Sequence, residues 1–385
     1  MKKIYLFLAF VAISMAAVAQ QALGERAQAS SPAINADGSV TFRFFAPLAK
    51  AVKVASNEIF PAGNHVVDMQ RDDKGVWSFT TEPLKPELYM YNFFVDGAKI
   101  TDPSNVYMIR DIASVFSVFI VGGGQADLYK VNGVPHGSVT KMWYDSPSLN
   151  MKRRLTVYTP AGYESSKKRY PVFYLLHGMG GDEEAWMSLG RASQILDNLI
   201  AQGKAEPMIV VMTNGNPSQE AAPGETQYGM LTPTTNLPKT MDGAFELAFP
   251  DVVNFVDKNF RTIKKKEGRA IAGLSMGGFH SLHISKQFPD LFNYVGLFSS
   301  AVSRESSNAE IYSDLEGKLK KQFSKKLALY YIAIGKDDFL YKANANLRSI
   351  LDRNNLPYEY VETDGGHIWR NWRIYLSQFA TKIFK

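Results

Sequence analysis

The chain has 385 residues, with 43 Lys and Arg against 37 Asp and Glu, six His and no Cys; 45% of it is hydrophobic and 21% charged. That is the composition of a folded protein long enough for two or three domains with substantial cores, and it excludes a disordered chain. The net charge of +6 is modest and the one dense basic run is Lys264-Lys265-Lys266, so nothing points to nucleic acid. Without Cys there is no disulfide framework, thiolate metal site, cysteine nucleophile or lipid-anchoring lipobox.

Residues 1–19 read as a cleavable export signal. Lys2 and Lys3 are followed by an apolar run from Ile4 to Met15, and Ala17-Val18-Ala19 gives the small-x-small cleavage pattern before Gln20. The run is short for a bilayer, and no later stretch is long and apolar enough, so no membrane span is expected in the mature chain. A periplasmic or secreted bacterial protein is expected.

From Ser31 to Val121 short strands alternate with turn signals. Val40-Thr41-Phe42-Arg43-Phe44, Val52-Lys53-Val54, Val76-Trp77-Ser78-Phe79 and Tyr89-Met90-Tyr91-Asn92-Phe93 carry period-two patterns. Asp37-Gly38, Ala62-Gly63-Asn64, Asp73-Lys74-Gly75 and Asp96-Gly97 separate them. This predicts an all-β sandwich over residues 20–125, ending at a flexible joint, Gly122-Gly123-Gly124. Its Trp77, Tyr89 and Tyr91 are candidates for glycan contact, but aromatics on alternating strands are more often core.

Residues 126–385 change texture. Leu155–Tyr158, Pro171–Leu176, Met208–Met212, the run entering at Ile271, and Leu327–Ile334 read as strands, several of them continuously apolar as in a buried parallel sheet. Helical spacing follows in Ala192–Gln202, Phe245–Phe260, Phe279–Phe288 and Ala343–Asn354. Such alternation predicts an α/β domain. The stretch Asn216–Lys239, rich in Pro, Thr, Gly and Asn, reads as a long loop: a lid facing substrate or a surface excursion.

Three places carry chemistry. Gly273-Leu274-Ser275-Met276-Gly277-Gly278 joins an apolar strand to a helix, the context of a nucleophile elbow in which flanking glycines permit a turn too tight for side chains. Ser275 would then stand at a helix N-terminus that favours a developing oxyanion. A base is needed, and in this topology the order is Ser, acid, His. His280 and His283 lie on the helix that starts at the serine and are expected to pack or face solvent. His367, in Asp364-Gly365-Gly366-His367 after the strand Tyr358–Glu362, is the candidate. The acid should follow a strand between the two: Gly335-Lys336-Asp337-Asp338 offers Asp338, with Asp337 the alternative. Two backbone N–H groups are needed for the oxyanion, one from Met276 and one from the loop His177-Gly178-Met179-Gly180-Gly181, where Met179 is the candidate. His177 is expected to hold that loop by hydrogen bonding.

On these motifs the stretch from Val134 to Lys385 resembles the esterase-D-like α/β hydrolases, and among them the feruloyl esterases of carbohydrate esterase family one. The matching pieces are Val134–Gly137, Tyr158–Tyr163, Tyr170–Trp186, Pro207–Gly215, Val256–Thr262, Gly273–Gly278, Gly335–Leu340 and Gly365–Trp372. The first domain resembles immunoglobulin-like early-set modules of the glycogen-binding type, with Asp102-Pro103-Ser104-Asn105 fitting that group. One departure is Ile368 after His367, where the feruloyl members commonly carry Asp or Thr.

The resemblance implies a Ser275-Asp338-His367 triad, Met179 and Met276 at the oxyanion hole, and neither metal nor cofactor. It implies an ester-decorated plant polysaccharide or oligosaccharide as partner, cleaved by a feruloyl esterase. Alternatives are an acetyl xylan esterase, a siderophore trilactone esterase and, in other classes, an acyltransferase or a non-catalytic glycan-binding protein. Trp186 and Trp369 are candidates for contact with a flat acyl group; each could equally be core. The sequence leaves oligomeric state open.

Overall fold

The computed structural model describes residues 30–60, 63–230, 232–235, 237–303 and 309–385. The expected export signal, 1–19, lies outside them. The described residues form two compact units: one runs to Lys85 and includes Met90–Tyr107; the other comprises Pro86–Tyr89 and Met108–Lys385.

The first unit is an all-β sandwich, the class expected, but it ends at Tyr107 and residues 108–125, expected to be part of it, fall in the second unit. One sheet has the order β1 (Ala33–Ile34), β2 (Val40–Phe45), β6 (Val76–Thr80), β5 (Gln70–Arg71). In the other, β4 (Val66–Asp68) pairs with β3 (Val52–Ala55), β3 with β7 (Glu87–Val95), and β8 (Ala98–Ile100) folds back on β7. Alternation works as it should: Phe42, Val52, Val54, Tyr91 and Phe93 point into a dry core. Trp77 and Tyr91 belong to that packing. Trp77 donates its indole N–H to Ala46 O at 2.9 Å, and Tyr91 donates its hydroxyl to Asp102 at 2.7 Å. Asp102 of the DPSN motif is buried, which pushes its carboxyl up despite those bonds.

The second unit begins with the hairpin β9 (Met108–Asp111) and β10 (Ser114–Val121). The Gly122-Gly123-Gly124 joint is not a loose tether. Gly123 donates to Asp127 Oδ1 at 2.9 Å, and Gly124 opens a short 3₁₀ turn, Gly124–Tyr129, that buries Ala126 and Tyr129. Glycine there supplies the φ of 112° that Gly123 adopts.

The body of this unit is one eight-stranded sheet. Its strands are β11 (Ser138–Ser146), β12 (Met151–Thr159), β13 (Val172–Leu176), β14 (Ile209–Thr213), β15 (Arg269–Leu274), β16 (Tyr294–Phe298), β17 (Leu329–Gly335) and β18 (Glu359–Thr363). Their order is β11-β12-β14-β13-β15-β16-β17-β18. The first two pairings are antiparallel and all others parallel. Every residue of β13, β14, β15 and β16 is buried, because helices cover both faces. The expected helices form at Ala192–Ala201, Ala244–Asn259, Met276–Gln287 and Tyr341–Arg353; the short Ala185–Ser188, Leu315–Phe323 and Trp369–Ala380 add three more among the described residues. Among the described residues no helix is long and apolar enough to cross a membrane.

The order matters for function. Parallel strands put all their carboxyl ends on one edge, so the loops after β13, β15, β17 and β18 gather there although they are far apart in sequence.

Candidate active site

The turn after β15 is sterically committed. A Cβ on Gly273 would stand 2.4 Å from the Gly277 backbone, and one on Gly277 would stand 2.4 Å from Leu176 O. Gly278 is closed off by Ser300, whose Cβ would be 2.7 Å from a Cβ there. Only hydrogen fits at these positions. Ser275 between them has φ 54° and ψ −114°, a left-handed conformation that a non-glycine residue adopts at a cost. It directly precedes the helix Met276–Gln287, whose first-turn N–H groups, Met276 first, have no carbonyl within the helix to bond. Backbone bonds from Ser275 N–H to Phe298 O (2.8 Å) and from Ala301 N–H to Ser275 O (3.2 Å) tie the turn to the end of β16.

The loop after β18 brings His367 to the loop after β17. His367 Nδ1 lies 2.9 and 3.1 Å from the two carboxylate oxygens of Asp338. Burial pushes the Asp338 carboxyl up, but hydrogen bonds from His367, the Leu340 N–H and Ser299 outweigh it and hold it below the usual carboxylate value. An ionised carboxylate only accepts, so Nδ1 carries the proton and Nε2 is left as the basic nitrogen. Asp338 is buried while its neighbour Asp337 is exposed, which separates the two candidates. Asp364 pairs instead with Lys336 at 3.0 Å. The β17 end can approach so closely because Gly335 has no side chain: a Cβ there would be 2.1 Å from Gly365 O.

The loop after β13 completes the edge. A Cβ on Gly178 would lie 3.5 Å from Ser275 Cβ, so this loop rests on the elbow. Met179 follows, its side chain 47% exposed, and a turn closed by Gly181 N–H to Gly178 O (3.1 Å) shapes the segment. His177 holds it, as expected. Its Nε2 accepts from Gly215 N–H at 2.7 Å, which leaves Nδ1–H to donate to Gly178 O at 2.7 Å. One neutral tautomer satisfies both bonds; the imidazolium would lose the first.

Burial brings the His177 pKa down to about 4. An unfolded-state histidine takes up a proton near pH 6.5, so the unfolded chain binds more protons between those values. Stability is therefore full above about pH 6.5 and is lost as pH falls toward 4. His283, also pushed well down by burial, acts in the same direction. We expect urea unfolding at pH 5 to show about 2 kcal/mol less stability from His177 alone than at pH 7.5. His177→Gln should flatten that part of the dependence.

The remaining histidines of the elbow helix are packed, as expected. His280 bonds buried Glu246 at 2.8 Å, and His283 Nε2 faces Val302 O at 3.2 Å. The two tryptophans considered for acyl contact lie in the core. Trp186 is 1% exposed and donates to Leu176 O at 2.9 Å; Trp369 is 7% exposed and meets Trp186 edge-on at 5.3 Å. What does present apolar surface is Phe339, 75% exposed, with its ring centroid 4.5 Å from that of His367. Trp372 packs edge-on to His367 from another side at 4.9 Å. Phe339 immediately follows Asp338, a position the motif reading passed over; its adjacency to the acid was the available signal.

The long loop after β14 is pinned near its start. Asn216 donates to Gly181 O at 3.0 Å, Ala222 N–H to Glu183 Oε1 at 2.9 Å, and Arg154 joins buried Glu183 to Glu225 at 2.8 and 2.7 Å. Further along, Tyr228 and Met230 are exposed. Among the described residues no group of three His, Cys, Asp or Glu is placed to hold a metal ion.

Comparison with known proteins agrees with this architecture. Residues 146–383 match the family model Esterase, and residues 27–111 match carbohydrate-binding module 48, the isoamylase N-terminal domain. An endo-1,4-beta-xylanase/feruloyl esterase of Xylanibacter ruminicola is 31% identical over 363 residues, covering 92% of this chain and 46% of that protein. The chain thus spans less than half of that relative's length. A solved ferulic acid esterase is 28% identical with a TM-score of 0.53, over 65% of this chain and 99% of its own. The enterobactin esterase FES of Shigella flexneri, 19% identical, shares the fold over 89% of this chain and 92% of its own, with a TM-score of 0.64. The first match takes in more than half of the chain and runs from the end of β11 through the other seven strands of the sheet that carries Ser275, and on that ground the chain belongs to the esterase family, with an immunoglobulin-like module of carbohydrate-binding family 48 ahead of its α/β-hydrolase fold.

Proposed function

We propose that the chain is an exported serine esterase that releases hydroxycinnamic acids, ferulate foremost, from ester-decorated plant polysaccharide. The observation that carries the reading is the His367–Asp338 pair, bonded at 2.9 Å on the same sheet edge as a serine strained into an elbow. Nε2 of His367 takes the Ser275 proton as the hydroxyl attacks the ester carbonyl. Asp338 keeps the imidazole in the tautomer that can do so and stabilises the cation that forms. The N–H groups of Met276 and Met179 receive the oxyanion. His367 then protonates the departing sugar alcohol, and water attacks the acyl-enzyme by the same route in reverse.

Two features favour an aromatic acyl group over acetate. Phe339 stands exposed against the base, and Met179, in the loop that rests on the elbow, is exposed too, so a planar ring would find apolar surface at this edge. The Xylanibacter ruminicola relative carries feruloyl esterase in its name, joined to xylanase. The Lys2–Ala19 segment is the reason to place the enzyme in the periplasm or outside the cell, where such esters are met.

The test is hydrolysis of methyl ferulate beside methyl acetate. We expect kcat/KM on the ferulate to exceed that on a simple alkyl acetate, and Phe339→Ala to raise KM for ferulate about fivefold with acetate little changed, the loss of one aromatic contact. Cleavage of acetate with none of ferulate would move the substrate to acetylated xylan.

A further inference from the structure

The hairpin β9–β10 turns on two residues, Ile112 and Ala113, since Asp111 pairs with Ser114. Ile112 has φ 53°. The first loop position of a tight hairpin with positive φ ordinarily takes Gly, Asn or Asp; a β-branched side chain there is strained. The surroundings show what the strained residue does. Its side chain lies flat on Gly180: a Cβ on that glycine would stand 2.9 Å from Ile112 Cγ1, 3.1 Å from Cδ1 and 3.2 Å from Cγ2. Arg110, on the same hairpin, donates from Nη1 to Ile112 O at 3.0 Å and from Nη2 to Asp182 Oδ2 at 2.5 Å. Asp182 is buried, and its other oxygen accepts from Glu184 N–H at 3.0 Å, so the arginine is anchored to a fixed point.

The hairpin therefore grips the segment Gly180–Asp182, directly after the residue whose N–H is assigned to the oxyanion. That loop contains Gly178, Gly180 and Gly181, and glycines leave a backbone many conformations of similar energy. His177 fixes its first half from below; the hairpin fixes its second half. We propose that Ile112 and Arg110 are positioning residues for the oxyanion hole, holding Gly178–Asp182 so that the Met179 N–H aims at the developing oxygen charge. The inference rests on the serine-esterase reading of the site. It also gives the last residues of the region that matches the carbohydrate-binding module, up to 111, a part in catalysis.

The test measures kcat and KM on p-nitrophenyl acetate, whose small acyl group is indifferent to an aromatic pocket, for Ile112→Ala, Ile112→Val, Arg110→Gln and Ser275→Ala. For the Ile112 and Arg110 variants rates are expressed per active site titrated with a fluorophosphonate, so that unfolded protein does not count; for Ser275→Ala, which has no serine oxygen to titrate, they are expressed per total folded protein. Deleting an oxyanion donor costs about 10²–10³-fold in kcat, and loosening one should cost about tenfold. We expect Ile112→Ala and Arg110→Gln each to lower kcat about tenfold with KM within twofold. Ile112→Val, which keeps both γ carbons on Gly180, should restore wild-type kcat. Unchanged kcat per titrated site in both Ile112→Ala and Arg110→Gln, or a loss carried wholly by KM, overturns the proposal while Ser275→Ala remains dead. Activity that survives Ser275→Ala overturns the underlying serine reading, and this proposal with it.

Discussion

Ser275→Ala is expected to lower kcat by about 10⁴-fold or more on any ester the enzyme cleaves, and to abolish the mass increase left by a fluorophosphonate. The size follows from the chemistry: without the hydroxyl there is no acyl-enzyme, and His367 and the N–H groups can only assist a poorly placed water. The fold should survive, because the Ser275 main-chain bonds to Phe298 and Ala301 do not use its side chain. A second comparison tests the strain. Alanine keeps the Cβ that makes φ 54° costly, whereas glycine does not. Ser275→Gly should therefore be more stable than Ser275→Ala by about 1 kcal/mol, read by urea unfolding, although both are inactive. Equal stability would mean that the strain relieved at this residue is no larger than the chain entropy glycine adds to the unfolded state.

Asp338→Asn is expected to cost about 10³–10⁴-fold in kcat while KM and the melting temperature move little. Leu340 N–H donates to Asp338 Oδ1 at 2.9 Å, so an asparagine must place its carbonyl oxygen there. Its amide nitrogen then occupies the Oδ2 position, 2.9 Å from His367 Nδ1. Two donors cannot face each other, so the ring shifts its proton to Nε2 and can no longer accept one from serine. Asp337→Asn is the control: that side chain is exposed, and its loss should leave kcat within twofold. A large loss in Asp337→Asn and none in Asp338→Asn would reassign the acid.

Much of this fold could be read from local pattern. The runs at 172–176, 209–213 and 329–335 show themselves because a strand buried on both faces has no reason to alternate. Others were hidden for physical reasons. The edge strand β11 is exposed over most of its length, so neither run nor alternation marks it. β16 contains Gly296, which lowers its strand signal, because a Cβ there would stand 2.7 Å from Ala272 Cβ. The triple glycine at 122–124 reads locally as slack, but Asp127 and a buried 3₁₀ turn hold it.

The sequence by itself determined what depends on neighbours in the chain. A turn with Gly at 273, 277 and 278 can be tight, a strand-turn-helix can present a serine, and a histidine after paired glycines can swing over a sheet edge. The tertiary structure alone decided what depends on distant residues. It buried Asp338 rather than Asp337, because only one of two adjacent side chains can face the loop that carries His367. It sent Trp186 and Trp369 into the core and left Phe339 exposed, because aromatic character sets the gain from burial but not which face of the chain meets the interior. It also set Ile112 against Gly180 across 68 residues of sequence, a contact to which no local propensity points, since propensity at that turn calls for glycine.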